Sequence, residues 1–313
     1  MKSGNFLTAA IEIGGTNTLC SVGNDASQLD GNISRIDTGT DPEETLRQLH
    51  ELLRKKEHEF GAKIDRIGIA SFGPLCLDAC SPAYGSITTT PKKGWMGCNL
   101  LGRFHELFPD AVIRLDTDVN GSALGEHFWG AAKGIKNFIY ITIGTGIGAG
   151  IMVEGRLHHG LAHPEVGHML LPRVENDLFI GVCGFHRDCW EGLCSGPALV
   201  ARTGRTPEQL EKEHPVWDIE IQYISLAIYN IVCLFSPELV IIGGGISHAG
   251  KLGRDEFFWR VRRTLVEYVH GYGVLPNILL ENMEKYIVPP VLENNSGIFG
   301  AFALARNQLN SLW

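Results

Sequence analysis

The sequence is poor in the features that mark several large classes of protein. Eight cysteines in 313 residues are too sparse for a disulfide scaffold, so the thiols are expected reduced. A basic surplus is missing too: 27 Lys and Arg stand against 35 Asp and Glu, a net charge of −8. That argues against a nucleic-acid partner, which needs clustered cations, but leaves room for a small anionic ligand in a local site. No uninterrupted apolar run approaches the ~18 residues of a membrane span. The start, Met1-Lys2-Ser3, reaches Glu12 without the apolar core of a signal peptide. The expectation is a cytoplasmic protein with no membrane partner. Two common phosphate fingerprints are also lacking. No Gly-Lys-Ser/Thr of a Walker A loop occurs, and a G-x-G-x-x-G beginning at Gly144 fails at Ala149.

Glycine, in contrast, is plentiful. The 38 glycines are well above the usual ~7%, which points to sharp turns and close ligand approach. Apolar residues at 44% and charged residues at 20% describe a globular chain, and its length predicts two domains. Apolar runs bounded by Gly and Pro predict strands over Phe6–Ile13, Thr18–Val22, Asn32–Ile36, Ile64–Ser71 and Ala111–Leu115. Asp41-Pro42-Glu43-Glu44 opens a helix to about Phe60, with Asp41 as cap and Glu44 completing a capping box. Val119–Trp129 continues as a helix. Strands then recur at Phe138–Ile143, Ala149–Val153, Glu238–Ile242 and Tyr286–Val288, and helices at Val216–Leu234, Phe257–His270 and Ser296–Leu309. The stretch His158–Cys194 is irregular.

The pattern hints at an internal repeat. Residues 9–16 and 139–146 each run an apolar strand into a Gly/Thr turn and a second strand. Alternating strands and helices give an α/β class, in which ligands bind where strands end. Gly14-Gly15-Thr16 reads as a hairpin turn or a phosphate cradle, since glycine lets backbone N–H groups face an anion. The denser Gly144–Gly150 run favours a phosphate loop. Gly243-Gly244-Gly245 reads equally as a strand-to-helix turn or as a flat surface for an adenosine. In Asp116-Thr117-Asp118, either acid could cap the following helix, or a carboxylate could take a proton from a substrate hydroxyl.

Cys183-x-x-His186-x-x-Cys189, with His168 15 residues upstream, supplies the four N/S ligands of a closed tetrahedral zinc site. Glu165 and Glu191 flank that set and would be held as acceptors for sugar hydroxyls. His158 and His159 have no nameable partner and read as solvated loop residues.

Together these motifs resemble the repressor/ORF/kinase (ROK) family of sugar kinases, most closely its bacterial fructokinase branch. The resemblance runs from Glu12-Ile13-Gly14-Gly15-Thr16 through Ser71–Pro74, Thr90–Trp95, Ile141–Gly150 and His163–His168 to Gly297–Gly300. It implies an α/β, actin-like (ribonuclease-H-like) ATPase fold, two domains flanking an active-site cleft. The smaller would comprise residues 1–117 with 297–313, the larger 118–296 with a zinc loop at 158–194. It further implies ATP with Mg²⁺, a structural Zn²⁺, phosphorylation of a hexose 6-hydroxyl and a homodimer. D-Fructose is the expected substrate. Mannose, glucose or an N-acetylhexosamine is the alternative, and a non-catalytic sugar sensor a more distant one.

By position, the resemblance makes Asp118 the catalytic base. It assigns sugar contacts to Thr117, Glu165, His168, Glu191, Gly73 and Trp95. Nucleotide and Mg²⁺ contacts fall on Glu12, Gly14, Gly15, Thr16, Asn17, Thr142, Gly144, Thr145, Gly146, Gly196, Pro197, Gly243, Gly244 and Gly245. His168, Cys183, His186 and Cys189 become the zinc ligands. Many members carry Lys where Asn17 stands and Asn where Thr117 stands, so the contacts at those two positions differ here.

Overall fold

The computed structural model describes residues 6–271 and 282–306. The chain forms two compact units. Unit 1 comprises residues 1–134, 156–164 and 291–313, and unit 2 comprises residues 135–155 and 165–290. Residues 118–134, 156–164 and 291–296 thus belong with unit 1, whereas the resemblance assigns them to the second domain.

Unit 1 opens with β1 (Leu7–Ile13), β2 (Asn17–Gly23) and β3 (Ser34–Asp37), followed by α1 (Pro42–Phe60) and β4 (Ile64–Ser71). Next come α2 (Leu100–Leu107), β5 (Val112–Thr117) and α3 (Asp118–Trp129). The sheet order is β3–β2–β1–β4–β5, with β1–β2 and β2–β3 antiparallel and β1–β4 and β4–β5 parallel. The two-residue period of β1 sends Ala9, Ile11 and Ile13 to one face. There they meet Leu46, Leu49 and Leu53 of α1 and Leu100 and Phe104 of α2. Burial of each such leucine stabilises by about 1.5–3 kcal/mol.

Helix α1 starts and stops for local reasons. The Asp41 carboxylate accepts from Glu43 N–H at 3.0 Å, Pro42 sits at the first position, and Gly61 closes the helix at φ +63°. The expected capping box does not form, because Glu44 is engaged by Arg47 and Gln48 instead. In α3 the cap is the Thr117 hydroxyl, which accepts from Asn120 N–H at 3.2 Å. Neither neighbouring aspartate takes that role.

Unit 2 begins with β6 (Phe138–Ile143) and β7 (Ile147–Val153); the two-residue β8 (Arg156–Leu157) that follows in the chain belongs to the 156–164 segment of unit 1. Beyond it come α4 (Trp190–Cys194), α5 (Gly196–Thr203), α6 (Val216–Phe235), β9 (Leu239–Gly243), α7 (Arg254–Val269), α8 (Met283–Tyr286) and β10 (Ile287–Val288). The order β7–β6–β9–β10 repeats the order β2–β1–β4–β5 of unit 1, down to one antiparallel hairpin and two parallel neighbours. The sequence repeat is therefore a repeat of topology. Helix α6 is long and apolar enough to cross a membrane by composition. Ile221, Ile224, Ile228, Ile231 and Val232 are buried in the unit 2 core, so α6 is a core helix.

The chain then returns to unit 1 with α9 (Ser296–Arg306); residues 307–309 of the expected closing helix lie outside the described residues. Helix α9 covers the second face of the unit 1 sheet, where Ala10 and Ala70 meet Ile298, Ala301 and Phe302. It also packs on α3 at backbone distance: a Cβ on Gly300 would overlap Gly121 O, and one on Gly125 would overlap Ser296 O. The buried Glu126 carboxylate fixes the approach, accepting from Val291 N–H, Leu292 N–H and the Ser296 hydroxyl at 2.7–3.1 Å.

Candidate active site

The expected catalytic and phosphate-binding residues of unit 1 gather at one end of its sheet. Between β1 and β2, Gly14 N–H donates to Asn17 O at 3.0 Å, and Thr16 O accepts from Thr38 N–H at 2.9 Å. This holds the turn while leaving Gly15 and Thr16 exposed, and no protein atom lies within 4 Å of a Cβ placed on Gly15. The bare backbone fits an anion cradle as well as it fits a turn.

Asp118 is the first residue of α3 and is half-buried, with Oδ1 accepting from Val119 N–H at 2.9 Å. Burial pushes its pKa up to about 6. The period of β1 turns Glu12 toward the α9 face, where Gly297 makes room: a Cβ there would overlap the Glu12 carboxyl. Burial, and secondly the charge of Asp118, raise Glu12 to about 8. Its Oε2 is buried with no hydrogen-bond partner. An orphaned carboxylate oxygen beside a second acid is an arrangement that a hard cation neutralises.

Asp116, two residues before Asp118, is buried and organises its surroundings. One oxygen accepts from Thr117 N–H and Asn120 Nδ2, both at 2.7 Å, and the other lies 3.0 Å from His159 Nε2. Burial lowers the His159 pKa, but the hydrogen bond and charge of Asp116 outweigh it and the net direction is up. The solvated-loop reading of His159 is thereby corrected. Four residues on, His163 Nε2 accepts from Leu75 N–H at 3.0 Å, beside the cis Gly73–Pro74 bond, and its pKa is lowered chiefly by burial. The two histidines clasp loop 158–164 onto the segments carrying Gly73 and Asp118. Both line a cavity of about 500 Å³ beside β5, with Arg114, Tyr84 and Leu304.

Trp95 does not belong with this set. It is fully buried, edge-on to Phe72 at 5.3 Å, with its indole N–H donating to Gly39 O at 3.2 Å. A ring with no open face offers nothing to a sugar, so the expected contact is withdrawn. Thr117 is also buried, and its hydroxyl oxygen holds the cap that sets Asp118 at the helix start.

Unit 2 gathers its own glycine-rich loops. Gly144 N–H donates to Gly146 O at 2.9 Å, closing the β6–β7 turn and leaving Thr145 exposed. Gly196, at the first position of α5, donates to Gly144 O at 2.7 Å, which brings Gly196-Pro197 beside the turn. Thr142 pairs with Gly243 across β6 and β9. Gly244, at φ +84°, passes so close to Ile143 that a Cβ would strike its backbone. Glu191 Oε2 accepts from Ile147 N–H at 2.9 Å, so this acid braces the second glycine turn. Ala149 lies on β7, so the glycine run leads into a strand and not into a helix.

The cysteine loop of unit 2 also converges. His168 Nδ1 lies 3.5 Å from Cys189 Sγ and 3.8 Å from Cys183 Sγ, and His186 Nδ1 lies 3.9 Å from Cys183 Sγ. Donor atoms of all four residues fall within 4.8 Å of one another. Two thiols and two imidazoles at this separation fit a tetrahedral soft-metal site. Glu165 is exposed, three residues before His168. The loop is anchored by Asp177, which pairs with both terminal nitrogens of Arg202 at 2.7 and 2.9 Å and accepts from Tyr223 at 2.7 Å.

Comparison with known proteins gives these clusters a context. The profile of the ROK family matches residues 8–308. A fructokinase of Zymomonas mobilis is 40% identical over 311 residues, covering 97% of this chain and 98% of that one. A fructokinase of Pediococcus pentosaceus is 38% identical over 306 residues, covering 98% and 100%. Among solved structures, a ROK hexokinase from Thermus thermophilus superposes with a TM-score of 0.75 at 23% identity, covering 98% of this chain and 100% of that chain.

Proposed function

This chain belongs to the ROK family, and on that premise we propose that it is an ATP-dependent sugar kinase that phosphorylates D-fructose at its 6-hydroxyl. The near-full-length likeness to fructokinases supports the substrate. The observation that carries the mechanism is Asp118, a half-buried carboxylate raised to about 6 at the start of α3. Such a group is ionised at neutral pH yet basic enough to accept a hydroxyl proton.

In this reading Asp118 takes the proton of the 6-hydroxyl as that oxygen bonds to the γ-phosphorus and the bond to ADP breaks. Catalysis is then mostly positioning and charge stabilisation. The Gly14–Thr16 and Gly144–Gly146 turns face the phosphates with the backbone N–H groups that their own turn bonds, from Gly14 and Gly144, leave over, while Gly243–Gly245 accommodate the adenosine. Glu191, His168 and Glu165 address sugar hydroxyls. Glu12 suits a Mg²⁺ ion through water, and that ion supplies positive charge to the phosphates. The reaction draws on cytoplasmic ATP, and a reducing compartment suits the free cysteines.

Sugar-dependent ADP release from Mg-ATP is expected to be fastest with fructose among fructose, mannose, glucose and N-acetylglucosamine. Asp118→Asn is expected to lower kcat by about 10²–10⁴-fold while fructose still binds. Fastest turnover with another hexose would move the substrate and keep the mechanism; near-full turnover by the variant would remove Asp118 as base.

We further read His168, Cys183, His186 and Cys189 as ligands of one structural Zn²⁺, and the protein as a homodimer. Leu170, Leu178, Ile180 and Phe185 stand exposed around the cysteine loop, an apolar surface that self-association would cover. Native mass spectrometry tests both. The expected species is a dimer with one zinc per chain, and Cys189→Ser is expected to lose the metal. A metal-free monomer from chelator-free purification would overturn both readings.

A further inference from the structure

With Trp95 in the core, the motif Thr90-Pro91-Lys92-Lys93-Gly94-Trp95 needs another explanation, and the structure makes it a rigid mount. Trp95 anchors one end through Gly39 and Phe72. Gly94 sits at φ +80°, where a Cβ would overlap Thr40 O, so the segment passes against its neighbour at backbone distance. Within the turn, the Thr90 hydroxyl oxygen accepts from Lys92 N–H, and Trp95 N–H donates to Lys92 O, both at 3.3 Å.

From this mount the half-buried Lys92 side chain reaches the β1–β2 turn, and its Nζ donates to Gly15 O at 2.5 Å. Lys93, next to it, is exposed. The turn Gly14–Thr16 has no cation of its own, Asn17 follows it, and the acids near it include Glu12, Asp118 and Asp37, which pairs with Asn17 across β2 and β3. An ammonium carries three donors, and the bond to Gly15 uses one. Two remain on the side of a turn whose backbone is exposed. A transferring phosphoryl group spreads negative charge over its oxygens, and a fixed cation beside it stabilises that charge.

We propose that Lys92 is a catalytic residue that binds the transferred phosphoryl group, one N–H holding Gly15 O and the others donating to phosphate oxygens. The proposal rests on the kinase reading of the Gly14–Thr16 turn. The motif at 90–95 is then a phosphate-contacting arm, with Trp95 as its root and Lys92 as its tip.

The test pairs kinetics with nucleotide binding, so that failure of the kinase reading shows separately. Lys92→Met is expected to lower kcat by about 10²–10³-fold. Lys92→Arg, which keeps the charge, should recover part of that loss, and Lys93→Met should stay near wild type. Calorimetry without sugar should find Lys92→Met about tenfold weaker for the Mg complex of a non-hydrolysable ATP analogue, with Mg-ADP affinity unchanged. Fructose binding and melting temperature should match wild type. Wild-type kcat in Lys92→Met, or equal loss of both nucleotides, overturns the proposal. A wild-type protein that binds the analogue in the Lys92-dependent way but phosphorylates no sugar overturns the kinase reading alone.

Discussion

Glu12 and Asp118 are two acids of unit 1 raised above their ordinary values by burial, and Glu12 also by the charge of Asp118. For Asp118 as base the active form is the carboxylate. The rate is therefore expected to fall as pH drops through about 6, a limb that a pH profile of kcat/KM for fructose reads directly. For Glu12 the folded state holds a proton that the unfolded state has released between its ordinary 4.5 and about 8. Its contribution is thus favourable in acid and is lost as pH rises through that window. Glu12→Gln, which cannot ionise, should raise Tm relative to wild type at pH 8.5 and have little effect at pH 4.5, measured by calorimetry without divalent metal. A gain confined to acid would contradict the assignment. The sequence marked both acids through their neighbours, Gly14-Gly15 and the helix start. It did not mark His159, whose partner Asp116 lies 43 residues away, nor the burial of Trp95, whose indole partner Gly39 lies 56 residues away. Pairings across such distances leave no local pattern.

At the scale of elements, legibility followed local punctuation. Strands β4 and β6 fall where expected because Gly and Pro, or Gly and Thr, bound their apolar runs. Helix α1 was legible through Asp41-Pro42, which the structure uses as cap and first position. Helices α2 and α5, each eight residues, were not read; α2 follows a Gly-rich turn and α5 begins with Gly-Pro, signals that resemble loop. The glycines joining α3 to α9 had a period but no readable cause until the partner helix was in place. Gly300→Ala is expected to destabilise by about 3 kcal/mol, because the methyl must displace Gly121 backbone. Gly31→Ala, which meets nothing within 4 Å, should change stability by less than about 0.5 kcal/mol. Urea denaturation distinguishes them, and similar midpoints would show that the helix pair relaxes freely.

At the scale of the whole molecule, the duplicated strand order was legible as a repeated sequence pattern, whereas the division into units was only partly so. The resemblance to the family places the cut between residues 117 and 118, just before α3. Packing keeps α3 in unit 1 because its glycine face, its cap and Glu126 all engage unit 1 residues.

The return of α9 to unit 1 bears on how the protein is made. A ribosome delivers β1 through α3 first, then unit 2 with the short unit 1 segment 156–164 inside it, and only afterwards the helix that covers Ala10, Ala70 and the glycine face of α3. Chains generally fold domain by domain in order of synthesis. Here unit 2 can be finished while the sheet synthesised before it still lacks a face. The half of the chain that is made first is the half that matures last.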